Sequence, residues 1–426
     1  MFGLENAQSL AGVAVTIGIC WVLSEKRSAF PWKLTLGALA VQAGLVFVLF
    51  GLPWTRGALA GAGMLVQGLS DSTQAGVKFV FGYLAGGDQP YPVQNGALLF
   101  VFAFRVLPII LVICALAALL WHWKILKWIV QGFGYVFERL MGLRGPPALA
   151  TAATVFMGQV EGPIFIRSYL PSLSRSELFL LLAVGMSCVS GSTMVAYATM
   201  LKDAVPNAAA HVLTASIISA PAGVLLARIM VPRDAAAEAV PDAELADEKL
   251  YESSIDALIK GVSVGLDIVL KIGATLVVFV ALVAMVDGIL GLFAPVGGAP
   301  LSLERGFGIV LSPLAWCLGI PWKEAQAAGS LLGVKLMLTE FTAFLDLAKL
   351  GPAVLSPRSH IIMTYALCGF ANIASVGINV AGYSVLAPSR QKEIMGMVWK
   401  AMLVGFLATC MTASVVGVLP SSLFAP

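Results

Sequence analysis

Eight stretches of this chain run for roughly 20 apolar residues or more, the length that crosses a hydrocarbon core of about 30 Å. They lie at about 6–24, 34–52, 96–121, 178–200, 211–231, 266–290, 359–384 and 393–419. With 59% of its 426 residues hydrophobic, 12% charged and a mean hydropathy of +0.92, the chain carries more apolar surface than a soluble fold can bury. In lipid every backbone polar group must find a partner within the protein, and runs of this length do so as helices. The expected fold class is an all-α polytopic membrane protein. A net charge of +3, scattered along the chain, argues against a nucleic-acid partner and against a basic membrane-surface patch.

Two further apolar pieces, about 146–173 and 324–351, are broken by residues that a lipid-facing helix does not carry. The first holds Gly158-Gln159-Val160-Glu161-Gly162-Pro163; the second holds Gly329, Gly333 and Lys335, followed by Thr339-Glu340-Phe341. A carboxylate at membrane depth is costly and is retained mainly for function, so these pieces are expected to be re-entrant helical hairpins buried in protein.

Basic residues set the sidedness. Lys26, Arg27 and Lys33 follow span one; Lys124, Lys127, Arg139 and Arg144 follow span three; Arg390 and Lys392 join the last two spans. All fall on the cytoplasmic side when the N-terminus lies outside. The Trp121-His122-Trp123-Lys124 cluster and the residues up to Arg139 read as a helix lying on the cytoplasmic surface. Residues 234–256 are rich in Ala and acids and read as a solvated cytoplasmic connector. Cys20, Cys114, Cys188, Cys317, Cys368 and Cys410 stand singly, without metal-site or disulfide spacing, and the three histidines near span ends read as interfacial. No basic segment precedes the first apolar run, so no cleaved leader is expected.

The two halves share a pattern. Glu161 is followed 31 residues later by Ser192, in a Gly- and Ser-rich run inside a span; Glu340 is followed 32 residues later by Asn372, in a similar run. Hairpin, broken span and whole span occur twice, and one intact span between the units makes the second inverted. Interrupted segments at matching positions of two halves point to a transporter whose solute site lies at the repeat interface.

Three strings now carry a resemblance. Gly158 to Arg167 (GQVEGPIFIR), Gly333 to Phe341 (GVKLMLTEF) and Tyr365 to Ser375 (YALCGFANIAS) are similar, in order, to signatures of the concentrative nucleoside transporter family, and the likeness runs from about residue 90 to 419. The resemblance implies eight transmembrane helices plus two re-entrant hairpins in an inverted repeat, assembled as a homotrimer. It implies ion-coupled uptake of nucleosides across the inner membrane by an elevator-like motion of a transport domain against a scaffold. The implied organisation is scaffold helices 1–3 over 1–121, the interfacial helix over 122–145 and a first transport unit over 146–231. The acidic connector then covers 232–265, scaffold helix 6 covers 266–295 and a second transport unit covers 296–426.

For substrate binding the family pattern points to Gln159, Val160 and Glu161 at the base, to Glu340, Asn372 and Ser375 at the ribose, and to Phe370 as an apolar wall. An amide and a carboxylate suit a base edge, and a second carboxylate suits hydroxyl donors. Val160 stands where the family usually has threonine, which leaves base preference open. For ion binding the matching positions are Thr154 and Cys188 by side chain, and Met157 and Val189 by carbonyl. Sodium wants oxygen ligands and a thiol is a poor one, so sodium and proton both stand as coupling ions. No cofactor is expected.

Each residue also has a plainer role. Glu340 could pair with Lys335, Asn372 could tie helices together, and Thr154 and Cys188 could fill space as small residues. A symporter for another small polar solute is the alternative function. A membrane-embedded enzyme is remoter, because neither a zinc-protease HExxH nor a phosphate-binding loop is present.

Overall fold

The structure, a computed structural model, describes residues 3–90, 101–143, 145–233, 250–293, 295 and 300–419. Among these the regular elements are all helical. The first third contains α1 (Leu4–Val22), α2 (Trp32–Gly51), α3 (Pro53–Phe81), the short α4 (Phe102–Arg105) and α5 (Ile109–His122). The expected third span, 96–121, therefore consists of α4 and α5 as far as it is described, with 96–100 outside the described residues.

Helix α3 was not expected from the sequence. Gly-rich and carrying Gln67, Ser70, Asp71, Thr73 and Gln74, it never sustains an apolar run, yet it forms 29 residues of helix. It buries Ser70, Thr73 and Val77 and leaves Leu65 and Phe79 at 77% and 91% exposure, an apolar outer face suited to lipid or to another subunit.

From α5 onward one order of elements occurs twice. A long helix is followed by an amphipathic or bent one, an interrupted pair, a broken span and a whole span. The first pass is α5, α6 (Ile125–Met141), α7 (Pro146–Met157) with α8 (Glu161–Ile164), α9 (Arg175–Ser187) with α10 (Gly191–Leu201), and α11 (Ala208–Met230). The second is α12 (Ser254–Leu290), α13 (Leu303–Cys317), α14 (Trp322–Met337) with α15 (Glu340–Lys349), α16 (Pro357–Leu367) with α17 (Ile373–Leu386), and α18 (Gln391–Val418).

Helix α13 is the second half's counterpart of α6 and was also not foreseen. It carries Pro313 and folds back onto α14 at 116°. Glycine allows that approach, for a Cβ at Gly333 would sit 2.2 Å from the Cβ of Phe307, and one at Gly329 2.7 Å from the Gly308 carbonyl oxygen.

Helix α12 starts at Ser254, so the expected connector to 265 ends sooner, and its acidic run over 234–249 lies outside the described residues. The Ser253 hydroxyl explains the early start by accepting the Asp256 N–H as an N-cap. Gly261 and Gly265, four residues apart, set α12 onto α5: a Cβ at Gly261 would lie 2.6 Å from Ala115 Cα, and one at Gly265 2.9 Å from Leu111 Cα. Apart from these glycines and Ala257, no residue of α12 is fully buried.

Six helical runs among the described residues are long and apolar enough to cross a membrane: Trp32–Leu49, Phe102–His122, Arg175–Leu201, Ala208–Met230, Ser254–Leu290 and Pro388–Val418. The core gathers around α9 and α11, which are almost wholly buried, with most of α16 and the C-terminal half of α18. Helix α1 lies along α18 and is tied to it by polar bonds, with Asn6 Nδ2 donating to the carbonyls of Gly417 (3.1 Å) and Val418 (3.0 Å). Its Ser9 hydroxyl reaches the Leu318 carbonyl, just past α13, at 2.9 Å.

Candidate functional site

Four interruptions shape the centre of the molecule. Between α7 and α8 the chain turns at Gly158, whose φ of +121° suits glycine alone; a Cβ there would also stand 2.7 Å from Glu161 Oε2. Residues 188–190 separate α9 from α10, Leu338 and Thr339 separate α14 from α15, and 368–372 separate α16 from α17. The two broken spans meet at their breaks, where the Phe370 N–H donates to the Cys188 carbonyl at 3.3 Å.

Glu340 opens α15 and is 4% exposed. Its Oε1 accepts from the Tyr197 hydroxyl at 2.8 Å and its Oε2 from Asn372 Nδ2 at 2.6 Å. Both donors are neutral and come from other elements, α10 and the start of α17. An ionised carboxylate offers about four lone-pair sites, so it keeps capacity for further donors.

The expected alternative, an ion pair with Lys335, is not formed. Lys335 Nζ donates to the Ala366 carbonyl (2.8 Å) and to Thr409 Oγ1 (2.7 Å), and lies 5.7 Å from the centre of the Phe406 ring. The lysine thereby satisfies a carbonyl in the last turn of α16, which the break would otherwise leave unpaired.

Asn372 caps α17, its Oδ1 accepting the Ser375 N–H at 2.8 Å. Gln159, 7% exposed, comes from the first interruption and meets the second half directly: its Nε2 donates to Ser375 Oγ at 3.3 Å, and its Oε1 accepts from Asn379 Nδ2 at 2.8 Å. Val160 packs on α17, where a Cβ at Gly382 would fall 2.5 Å from Val160 Cγ1. Glu161 is half-buried, with the backbone N–H groups of Val160 and Glu161 bonded to its carboxylate. Phe370 is half-buried beside the break. The structure thus joins Gln159 to Ser375, and Glu340 to Asn372. Among the described residues no direct bond joins Glu161 to the Glu340 group.

Tyr197 and Asn379 escaped the sequence reading. Tyr197, fully buried, stacks on Phe344 (4.5 Å between ring centres) and meets Phe341 edge-on (4.7 Å), so its hydroxyl is held at Glu340. A tyrosine inside an apolar span was the available signal, since a buried phenol must find a partner. Asn379, one turn beyond Ser375, was the other.

Three of the four positions assigned to an ion carry contacts within the protein. Thr154 Oγ1 donates to the Ala150 carbonyl of its own helix at 2.7 Å, and α8 lies hard against it, a Cβ at Gly162 falling 2.3 Å from that oxygen. Ser216 on α11 holds the α9–α10 break: its hydroxyl donates to the Val189 carbonyl (3.1 Å) and accepts the Val189 N–H (3.2 Å), while Cys188 Sγ reaches the Ser216 carbonyl at 3.5 Å. Met157 is the last residue of α7. Among the described residues no group of three His, Cys, Asp or Glu side chains could hold a metal ion.

Two histidines expected at the interface are instead buried. His211 Nδ1 lies 3.1 Å from the Tyr365 hydroxyl, and His360 Nε2 lies 2.9 Å from the Leu350 carbonyl. Cys20, Cys188, Cys368 and Cys410 are buried free thiols, while Cys114 and Cys317 are partly buried.

Comparison with known proteins places these features in context. Family models described as "Na+ dependent nucleoside transporter N-terminus", "Nucleoside recognition" and "Na+ dependent nucleoside transporter C-terminus" match residues 11–84, 103–204 and 211–417. The chain is 35% identical over 414 residues to the nucleoside permease NupC of Helicobacter pylori, covering 96% of each chain. It is 36% identical over 412 residues to the uncharacterized transporter YutK of Bacillus subtilis, covering 96% of this chain and 98% of the relative. The structure of CNTnw in an inward-facing substrate-bound state superposes with a TM-score of 0.88 at 33% identity, covering 97% of this chain and 98% of that one.

Proposed function

Because the chain belongs to the concentrative nucleoside transporter family, we propose that it is a symporter that carries nucleosides across the plasma membrane together with a cation that moves down its own gradient. One observation carries the reading. A buried carboxylate, Glu340, accepts from neutral side-chain donors of two other elements and forms no direct ion pair among the described residues, beside the point where breaks from both halves meet. A carboxylate kept at that depth, without a cation and with lone pairs in reserve, suits hydroxyl donors of a sugar.

In this reading Glu340, Asn372 and Ser375 receive the ribose, Gln159 and Glu161 read the base beside the apolar Val160, and Phe370 forms a wall. Tyr197 holds one oxygen of Glu340 and Asn372 the other, and the carboxylate's remaining lone pairs are left for substrate hydroxyls. The interrupted pairs α7–α8 and α14–α15 act as re-entrant hairpins of an inverted repeat in an eight-span protomer. Helices α2, α3, α5 and α12 form the scaffold, and the remaining broken and buried elements move past it as an elevator. Helix α1, expected in the scaffold, is assigned instead to the moving part, since it is bonded to α18 and to the end of α13. The exposed apolar faces of α3 and α12 support assembly as a homotrimer.

For the coupling ion the family description supports sodium. A proton is the second reading, and specific contacts favour it: the Thr154 hydroxyl is turned into its own helix, and Cys188 offers a thiol where a hard cation wants oxygen.

The deciding experiment reconstitutes purified protein in liposomes and follows radiolabelled uridine under separate sodium and proton gradients. Accumulation under either gradient supports nucleoside symport, and the effective gradient names the ion. Uptake under neither, with the protein correctly inserted, would overturn the reading.

A further inference from the structure

Asn379 lies on the face of α17 that carries Ser375 and is completely buried. Its Nδ2 donates twice, to the Ser375 carbonyl one turn back at 2.9 Å and to Gln159 Oε1 at 2.8 Å. Its Oδ1 is buried and has no partner. A side-chain amide with one end doubly bonded and the other end bare is a costly arrangement, and the neighbours explain why it holds.

The Ser375 carbonyl is the fixed point. It can only accept, so the end of Asn379 that faces it must be the NH2. Turning the amide over would set Oδ1 against the Ser375 carbonyl oxygen, acceptor against acceptor. With Nδ2 fixed, the atom of Gln159 that meets it must be an oxygen. Gln159 Oε1 is therefore taken, and its Nε2 points the other way, 3.3 Å from Ser375 Oγ. A backbone carbonyl thus dictates, through two amides in series, which end of Gln159 is presented.

We propose that Asn379 is a specificity-determining residue that locks Gln159 as a hydrogen-bond donor, so that the site selects nucleosides whose base turns its 4- or 6-carbonyl oxygen toward Gln159. Asn379 does this as a positioning residue, acting on the base through Gln159. The proposal rests on the reading of Gln159 as a base contact, and its test separates the two.

The experiment measures inhibition constants against radiolabelled uridine uptake for uridine, cytidine, zebularine (uridine lacking the 4-oxygen), inosine and purine riboside (inosine lacking the 6-oxygen). 2′-Deoxyuridine serves as a ribose control. Two variants are compared with the natural chain. Asn379→Leu keeps a similar branched shape while removing both amide bonds. Asn379→Ser guards against misfolding, because a serine hydroxyl can bond back to the Ser375 carbonyl and leave only Gln159 unanchored.

In the natural chain at least one analogue lacking an acceptor is expected to bind about 3- to 10-fold more weakly than its parent, the range of one net hydrogen bond. In both variants that ratio falls toward unity, because Gln159 is free to turn either end outward. The 2′-deoxyuridine to uridine ratio stays as it was, since Glu340 and Asn372 are untouched. A merely structural role for Asn379 would instead weaken all ligands alike and leave every base ratio in place. That result, or a natural chain blind to all the acceptor deletions, overturns the proposal. Failure of the underlying reading looks different: Gln159→Leu would then leave every base ratio of the natural chain unaltered.

Discussion

Asn372 donates from Nδ2 to Glu340 Oε2 at 2.6 Å while its own Oδ1 receives the Ser375 N–H at 2.8 Å. The amide is thereby oriented by the helix it caps, and it hands that orientation to the carboxylate. Glu340→Gln sets an NH2 donor against one of these donors and weakens any bond from a ribose hydroxyl. Loss of a charge-assisted bond, about 1.5–3 kcal/mol, predicts uridine uptake reduced by about 10- to 100-fold at equal membrane insertion. Initial uptake rates in proteoliposomes check it, and near-natural rates would remove Glu340 from the site.

The ion positions give a second prediction. Thr154→Asn with Cys188→Ser supplies two oxygen groups beside the α9–α10 break, and the double variant should reach half-maximal uridine uptake at lower sodium than the natural chain. The two changes should not simply add, because they would share one ion. Uptake is read at fixed pH with choline replacing sodium, and an unchanged sodium dependence would place the ion elsewhere.

Helix contact supplies a matched pair. Gly261→Val drives a side chain into the backbone of α5, where the nearest atom is 2.6 Å from the added Cβ, whereas a Cβ at Gly273 on the same helix meets nothing within 4 Å. Overpacking typically costs about 1–3 kcal/mol, so Gly261→Val should lower the thermal unfolding midpoint and Gly273→Val should not. Detergent-solubilised protein followed by its nine tryptophans suffices.

Lys335→Met tests a different support. It removes the donor to Ala366 at the end of α16 and leaves that carbonyl unsatisfied, at a cost of about 1–3 kcal/mol. Lower thermal stability is expected, whereas Thr409→Val, which spares the Ala366 bond, should have the smaller effect. Equal loss in both would assign the stabilisation to Thr409 instead.

What the sequence made legible was contrast. Gln159, Glu340 and Asn372 stand out because a polar group is improbable in an apolar run, and the structure indeed sets them at chain breaks. Helices α3 and α13 have no such contrast, being too polar to read as spans and too apolar to read as loops. Ser216 and Asn379 lie on ordinary helices, and only folding brings them to Val189 and Gln159, partners 27 and 220 residues away. Lys335 was visible, but its nearest carboxylate in sequence proved the wrong partner, since a carbonyl at a helix end competes well for a buried ammonium group.

The bond between the Phe370 N–H and the Cys188 carbonyl fastens one broken span to the other, half to half. Neither group would find water to replace its partner at that depth, so parting them is unfavourable. The crossing therefore behaves as a rivet: the two unwound segments are held together, and in the proposed transport cycle access from either face would have to be opened by parts that surround them.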